Sequence, residues 1–277
     1  MGRVDGKVAF ITGVARGQGR SHALRLAAEG ADIIGVDICG PVGSVPYALA
    51  SKEDLDETAR AVRRTGRRMF TAVADVRDYP ALEGALRDGI AEMGGLDIVS
   101  ANAGIASFAP MHLMAEETWR DMIDVNLTGV WHTVKAAAAP LIEAGKGGSI
   151  ILTASSAGLK GAPNIGHYAA AKHGVLGLMK SLANELAAHM IRVNSVLPTG
   201  VGDTGMVNNE PMRKLFLPDA DDPSHEDLGA AMGTLNALPI PWVECVDVSN
   251  AVLFLASEEA RFITGTALSV DAGWHVK

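Results

Sequence analysis

Short apolar runs alternate along this chain with longer segments of helical periodicity, and this alternation restricts the fold more than any other feature of the sequence. The apolar runs that we predict to be buried strands cover residues 8–12, 33–37, 69–74, 96–101, 149–154, 191–197 and 267–270. A chain in which strands and helices alternate pairs its strands in parallel through right-handed crossovers. Strands with little polar alternation suit a sheet covered on both faces. We therefore predict one α/β domain over residues 1–277, a doubly wound parallel sheet of about seven strands with helices on both faces.

Two segments interrupt this alternation. Residues 39–51 follow the second predicted strand directly and contain two prolines and two glycines. A connection between strand and helix usually has two to six residues, so we interpret 39–51 as an insertion. Residues 199–241 are rich in Met, Leu and Pro, and a long apolar connection of this kind is typical of a substrate-binding lid. A pair of packing helices would have the same composition.

The composition and charge exclude several classes of function. Apolar residues make up 48% of the chain, which suits a large core, and the net charge of −8 disfavours a nucleic-acid partner. No apolar run is long enough to span a membrane, and the first residues lack the apolar segment of a secretory signal. The two cysteines fit a reducing compartment, so we expect a cytoplasmic protein. None of the eight histidines forms a pair of the zincin type, and we expect no metal.

A glycine-rich turn lies between the first predicted strand and a helix that begins near Gln18. Glycines at this turn let the backbone approach a pyrophosphate, which then lies at the helix N-terminus. The spacing differs from the commoner Gly-x-Gly-x-x-Gly, because three residues separate the first two glycines. The turn predicts a nucleotide cofactor with contacts at Gly13, Arg16, Gly17, Gln18 and Gly19.

Asp37 ends the second strand, 18 residues beyond Gly19. A carboxylate there accepts hydrogen bonds from an adenosine ribose and repels a 2′-phosphate, so NAD is favoured over NADP. Arg16 favours NADP instead, because a guanidinium could pair with a 2′-phosphate. Other predicted contacts follow the same edge of the sheet, where Asp75 could meet the adenine. These contacts are Ile38, Asp75, Val76, Asn102, Ala103 and Gly104.

Tyr168 and Lys172 are four residues apart in a predicted helix over 166–187, so their side chains lie on one face, one turn apart. An ammonium beside a phenol favours the phenolate, and we expect the pKa of Tyr168 to fall below about 10. Such a phenol exchanges a proton with an alcohol or carbonyl near neutral pH. Ser155, at the end of the fifth strand, can donate to a substrate oxygen. Asn126 can bind a water linked to Lys172.

Together these residues resemble the short-chain dehydrogenase/reductase family over nearly the whole chain. The motifs that carry the resemblance are the turn 12–19, Asp37, Asp75 with Val76, Asn102 to Gly104, Asn126, Ser155, Tyr168 with Lys172, and the segment 198–204. The resemblance implies a Rossmann-type fold and hydride exchange between a nicotinamide cofactor and a carbon that bears an alcohol or a ketone.

The resemblance also implies a role for each site residue. Tyr168 would be the acid/base, Lys172 would lower its pKa and hold the nicotinamide ribose, and Ser155 would orient the substrate oxygen. Asn126 would anchor a proton-relay water. The other implied cofactor contacts are Pro198, Val201 and Thr204, the last at the nicotinamide carboxamide. The family usually has Pro-Gly where this chain has Pro198-Thr199.

The insertion 39–51 is similar to that of the subfamily coupled to mycofactocin, which includes carveol dehydrogenases. That resemblance implies an NAD held too tightly to exchange freely, with mycofactocin as electron acceptor. The resemblance to the family as a whole implies a homotetramer, in which helices near 115–143 and 166–187 pack between subunits. The lid 199–241, with Ile105, Phe108 and Leu159, favours a small apolar secondary alcohol of the terpene type. An NADP-linked ketone reductase, or a nucleotide-binding protein without turnover, are the alternatives.

Overall fold

The strands are β1 (Val8–Thr12), β2 (Asp32–Asp37), β3 (Met69–Val73), β4 (Ile98–Ala101), β5 (Gly148–Thr153), β6 (Ile191–Pro198) and β7 (Ala267–Val270). In this computed structural model, which describes residues 2–277, they form one sheet in the order β3-β2-β1-β4-β5-β6-β7. Every neighbouring pair is parallel. The predicted doubly wound parallel sheet is therefore confirmed, and the predicted strand limits agree with the observed ones to within two residues.

Helices connect successive strands. They are α1 (Gly17–Ala28), α2 (Lys52–Arg64), α3 (Tyr79–Met93), α4 (Glu116–Ile123), α5 (Gly129–Ala144), α6 (Gly166–Leu186), α7 (Glu210–Phe216), α8 (His225–Gly233) and α9 (Cys245–Ala256). A π-helical turn over Asp124–Thr128 joins α4 to α5. Local signals explain several of the limits: Ser51 and Asp54 form a capping box at the start of α2, and Gly94 ends α3 with a φ of 89°.

Two hydrophobic cores lie on opposite faces of the sheet, because successive strand residues point to opposite sides. Phe10 packs in the core under α3, α5 and α6, whereas Ile11 packs in the core under α1, α2 and α9. Both side chains are fully buried. The apolar stripe of α6 belongs mainly to the first core, since Val175 and Met179 are buried within the chain.

The segment 199–241 contains α7 and α8, which pack on each other around a small apolar cluster of their own. The buried members of this cluster are Val207, Met212, Leu228 and Met232. The composition of this segment is thus explained by a pair of packing helices. Among residues 2–277, no helix combines the length and the apolar character needed to cross a lipid bilayer.

The strand order places a crevice at one edge of the sheet. The chain runs from β1 outward to β3 and then returns to β4 on the other side of β1, which pairs with both β2 and β4. Doubly wound sheets bind ligands at such a reversal, outside the carboxyl ends of the strands.

Candidate active site

A cleft opens at this edge and joins two chambers. The larger chamber lies over the glycine turn and the end of β2, and its walls include Gly13, Asp37 and Asp75. The smaller chamber is lined by Ser155, Tyr168 and Lys172. The two chambers share wall residues and form one continuous cleft. The shared residues are Gln18, Asn102, Gly104, Thr204 and Met206.

The glycine turn leaves no room for side chains where it folds back on itself. A Cβ on Gly19 would lie 2.0 Å from the carbonyl oxygen of Gly13, and a Cβ on Gly13 would lie 2.8 Å from the Cα of Ala103. Gly13 also has a φ of 67°. The N-terminus of α1 has no side-chain cap and no acidic residue in its first turn. Its free N–H groups are therefore available to an anion in the cleft.

Thr12 and Asn102 join this turn to the end of β4. The Thr12 hydroxyl oxygen accepts from the backbone N–H groups of Asn102 and Ala103, both at 3.1 Å. The Asn102 amide donates to the carbonyl oxygens of Thr12 and Gly13. Asn102 thus shapes the cleft with its side chain, and Thr12 is a structural member of the site that sequence reasoning missed.

Asp37 lies at the end of β2 and is nearly buried, with 7% of its surface exposed. Its carboxylate accepts from the backbone N–H groups of Ala15 at 3.0 Å and Cys39 at 3.2 Å. Burial raises the pKa of this carboxyl, and the two backbone hydrogen bonds oppose the shift. Arg16 donates to the carbonyl oxygen of Ala48 in the insertion. This bond uses one nitrogen of the guanidinium that motivated the NADP alternative and leaves its other N–H donors available.

Asp75 and Val76 follow β3 and line the larger chamber, next to Ile38 from the end of β2. The Asp75 carboxylate forms an ion pair with Arg77 at 2.7 Å. Arg77 also pairs with Asp121 of α4 at 2.8 Å. Asp75 therefore lines the larger chamber, and its charge is compensated by Arg77.

Ser155, Tyr168 and Lys172 meet in the smaller chamber. Ser155 follows β5, and its hydroxyl donates to the carbonyl oxygen of Pro198 at 3.4 Å. Lys172 is 3% exposed and donates to the carbonyl oxygen of Thr153 at 2.8 Å. Its nitrogen lies 5.5 Å from the centre of the Tyr168 ring. The structure thus brings together the three side chains that the sequence separates by up to 17 positions.

The expected fall in the pKa of Tyr168 is wrong for this structure. Burial raises the pKa of the phenol above its ordinary value of 10.0, and the Ser155 hydroxyl opposes that shift. Burial also lowers the pKa of Lys172 from 10.5 to about 8. In both groups the loss of hydration disfavours the charged form more strongly than the neighbouring side chains favour it.

Asn126 lies in the π-helical turn and is fully buried. Its amide oxygen accepts from the backbone N–H of Ile105 at 2.8 Å, and its amide nitrogen donates to the Ile105 carbonyl at 2.8 Å and to the sulfur of Met122 at 2.9 Å. Both amide hydrogens are therefore used within the protein. The amide oxygen accepts one of the two hydrogen bonds that it can accept, and the side chain fixes the segment after β4.

The segment after β6 carries the remaining predicted contacts. The Thr204 hydroxyl donates to the carbonyl oxygen of Val201 at 2.7 Å, and both residues line the smaller chamber with Pro198. Thr199 follows Pro198 directly, and its N–H donates to the carbonyl oxygen of Val270 in β7 at 3.3 Å. Thr199 is not among the described residues with a positive φ, so the departure from Pro-Gly requires no backbone conformation that favours glycine.

The insertion 39–51 crosses the larger chamber and is fastened at several points. Val42 is buried in the core, Ser44 donates to Asp121 at 2.7 Å, and the Tyr47 hydroxyl oxygen accepts from the backbone N–H of Ala106 at 2.9 Å. Val42, Tyr47 and Leu49 line the chamber. Sequence reasoning missed Tyr47, since nothing in its spacing connects it with Ala106, 59 positions away.

Comparison with known proteins agrees with this geometry. The family model for short chain dehydrogenases matches residues 7–214. The chain is 55% identical over 278 aligned positions to a (−)-trans-carveol dehydrogenase from Rhodococcus erythropolis, with 100% of both chains covered.

Two solved structures extend this comparison. A carveol dehydrogenase from Mycobacterium avium in complex with NAD superimposes with a TM-score of 0.99 at 54% identity, and a short chain dehydrogenase from Mycobacterium paratuberculosis bound to NAD with a TM-score of 0.89 at 44% identity. In both cases 100% of each chain is covered. Since the family model spans most of the sequence and these relatives cover all of it, this chain belongs to the short-chain dehydrogenase family.

Proposed function

We propose that the protein is an NAD-dependent alcohol dehydrogenase that interconverts an apolar secondary alcohol and its ketone. The observation that carries this proposal is the meeting of Ser155, Tyr168 and Lys172 in a chamber that continues into the cleft over the glycine turn. The likeness to proteins named carveol dehydrogenases supports an alcohol of the carveol or terpene type.

The residues of the cleft fit a dinucleotide. Gly13 and Gly19 form a turn that any Cβ would fill, and the uncapped N-terminus of α1 suits a pyrophosphate. The buried side-chain oxygen of Gln18 has no hydrogen-bond partner within the described chain, which leaves it free for a ligand group. The Asp37 carboxylate suits a ribose and disfavours a 2′-phosphate. When bound, NAD would accept the hydride that leaves the alcohol carbon.

Tyr168 is the acid/base in this proposal, and Ser155 orients the substrate oxygen beside it. The phenol would take the alcohol proton during oxidation and return it to the ketone during reduction. Because burial raises the pKa of Tyr168, the charge of Lys172 and the Ser155 hydrogen bond have to stabilise the phenolate as it forms. A buried ammonium is effective here because little water screens it.

Asn126 acts through Ile105 in this proposal, because both polar ends of its amide hold the backbone of that residue. A Cβ on Gly104 would lie 3.2 Å from the Asn126 amide oxygen and 3.8 Å from the Lys172 nitrogen. The two side chains are thus neighbours across Gly104. A proton-relay water between them is part of the proposal.

The lid residues support an apolar substrate. Met206 and Val207 line the smaller chamber beside Tyr168, and the cluster of α7 and α8 packs against Phe108. Met206 and Val207 offer apolar side chains to a substrate whose polar oxygen would face Ser155 and Tyr168.

The insertion is a clamp that slows the release of NAD in this proposal. Its contacts with Arg16, Asp121 and Ala106 hold it across the chamber that fits the adenosine half. A retained cofactor has to be reoxidised in place, and mycofactocin is the electron acceptor that we propose.

A homotetramer built through α4, α5 and α6 is part of the same proposal. The unpaired Cys39 and Cys245 support a cytoplasmic location.

A panel of secondary alcohols tests this function. Turnover is measured with added NAD and, separately, with an artificial electron acceptor, for the wild type and for Tyr168→Phe. We expect oxidation of cyclic apolar alcohols, with turnover lost by at least about 100-fold in the variant, because general acid–base catalysis contributes on this scale. The variant should keep its nucleotide, as measured by absorbance after desalting. Turnover unchanged in Tyr168→Phe would disprove the catalytic assignment.

A further inference from the structure

The segment 105–107, which follows β4 and Gly104, is held by three side chains from different parts of the chain. Asn126 binds both backbone groups of Ile105 at 2.8 Å. The His167 ring nitrogen Nε2 and the Ser107 hydroxyl are hydrogen-bonded at 2.8 Å. The third side chain is Tyr47, whose hydroxyl oxygen accepts from the N–H of Ala106 at 2.9 Å. Each residue of this segment is thus fixed by a polar contact.

This segment lies against the catalytic residues. It begins after Gly104, which neighbours both Lys172 and Asn126, and Ile105 lines the cleft. It ends at Ser107, whose partner His167 precedes Tyr168 in α6. A shift of the segment would therefore move the surroundings of the phenol and the amine together.

Tyr47 differs from the other two side chains because it comes from the insertion. Ala106 is 6% exposed, so its N–H has little access to water if the phenol oxygen is removed. Two other residues of the insertion make contacts away from this segment: Val42 packs in the core, and Ser44 is hydrogen-bonded to α4. Tyr47 is thus a direct connection between the insertion and the segment beside the catalytic residues.

We propose that Tyr47 is a positioning residue for the reaction: its hydroxyl oxygen holds Ala106 and so couples the closed insertion to the alignment of the catalytic residues. This inference rests on the proposed function, because it takes Tyr168 as the acid/base. Burial raises the pKa of Tyr47 to about 12, so this phenol stays neutral near pH 7 and does not replace Tyr168 as a proton carrier.

The three tyrosines of the chain allow a matched test, in which each is replaced by Phe so that only a hydroxyl is lost. In Tyr47→Phe the ring remains, and the buried N–H of Ala106 loses its acceptor. We expect kcat to fall about tenfold in enzyme that still contains NAD, and NAD to be lost about tenfold faster during gel filtration, since one buried hydrogen bond changes equilibria by about this factor. Tyr79, whose hydroxyl lies on the surface and donates to Glu83, is the control, and Tyr79→Phe should keep wild-type kcat.

The outcomes separate this inference from the proposed function. A wild-type kcat in Tyr47→Phe would overturn the positioning role, whereas a wild-type kcat in Tyr168→Phe would overturn the catalytic assignment. Circular dichroism measures the folded fraction of each variant. A loss of kcat in Tyr47→Phe that equals its loss of folded protein would also overturn the inference, because the hydroxyl would then act only on stability.

Discussion

Replacement of Lys172 by Met should make the protein more stable at pH 7 and abolish its turnover. The side chain is 3% exposed, and burial lowers its pKa from 10.5 to about 8. Because the pKa of Lys172 differs by this amount between the unfolded and the folded chain, the free energy of unfolding at pH 7 is lowered by ~3 kcal/mol. Methionine occupies a similar volume without the charge. It also loses the hydrogen bond to the Thr153 carbonyl, which contributes ~1 kcal/mol, so we expect a net gain of ~2 kcal/mol.

The pH dependence of the stability difference between wild type and Lys172→Met provides a second, independent test of this prediction. Because the pKa of Lys172 is lower in the folded state, the unfolded chain binds more protons between pH 8 and 10.5. The stability contribution of this group therefore rises with pH across that window. Above pH 10.5 the amine is neutral in both states, and the variant should be less stable by the ~1 kcal/mol of the lost hydrogen bond. The difference between the two proteins should change sign within the window.

Urea unfolding followed by circular dichroism on nucleotide-free protein measures both effects. Lys180 offers a matched control, since it lies on the same helix α6 and is exposed. Lys180→Met should change the free energy of unfolding by less than ~0.5 kcal/mol at each pH. A Lys172→Met protein that is less stable than wild type at pH 7, or a stability difference that stays constant from pH 7 to 10.5, would refute the reasoning.

Two further predictions concern the cofactor cleft. Asp37→Asn removes the charge and leaves one side-chain oxygen, which can accept from the N–H of Ala15 or of Cys39 but not from both, since each now bonds to a different carboxylate oxygen. We expect the preference for NAD over NADP to fall by about 10- to 100-fold, as fluorescence titration of both nucleotides would show; an unchanged ratio would contradict this. Ser44→Ala removes the hydrogen bond to Asp121 and should speed the loss of NAD during gel filtration about fivefold. Ser181 is exposed, and Ser181→Ala should leave the rate of NAD loss unchanged. Equal rates in both variants would argue against a clamp.

The fold was predictable because its signals are local and repeated. Each buried strand is a short apolar run, and most helices have caps or a C-terminal glycine that mark their ends. The limits of β1 and β7 were predicted without error. The connection of strands into one parallel sheet then follows from the alternation itself, since right-handed crossovers leave few topologies.

The site was predictable where a motif fixes the neighbours and unpredictable where neighbours come from distant segments. The four-residue spacing of Tyr168 and Lys172 indicates a shared helix face. The burial of Lys172, which decides the direction of its pKa shift, depends on packing against Thr153, Gly104 and the rest of the fold. The bond between Tyr47 and Ala106 depends on the path of the insertion. The composition of the insertion does not indicate which of its residues lies next to Ala106.

The pKa shifts of Tyr168 and Lys172 show how strongly water is excluded from the catalytic pair, whose chamber has Met206 and Val207 of the lid in its wall. Burial disfavours both the phenolate and the ammonium, so the pair on its own does not ionise the phenol. The same exclusion of water strengthens every favourable charge that reaches the phenol, because the effective dielectric constant falls. Burial of the pair therefore raises the cost of charge in the resting site and increases the stabilisation of charge that develops during the reaction. The Tyr47 hydroxyl of the insertion reaches this site through the backbone N–H of Ala106, so it should affect turnover as well as retention of the cofactor.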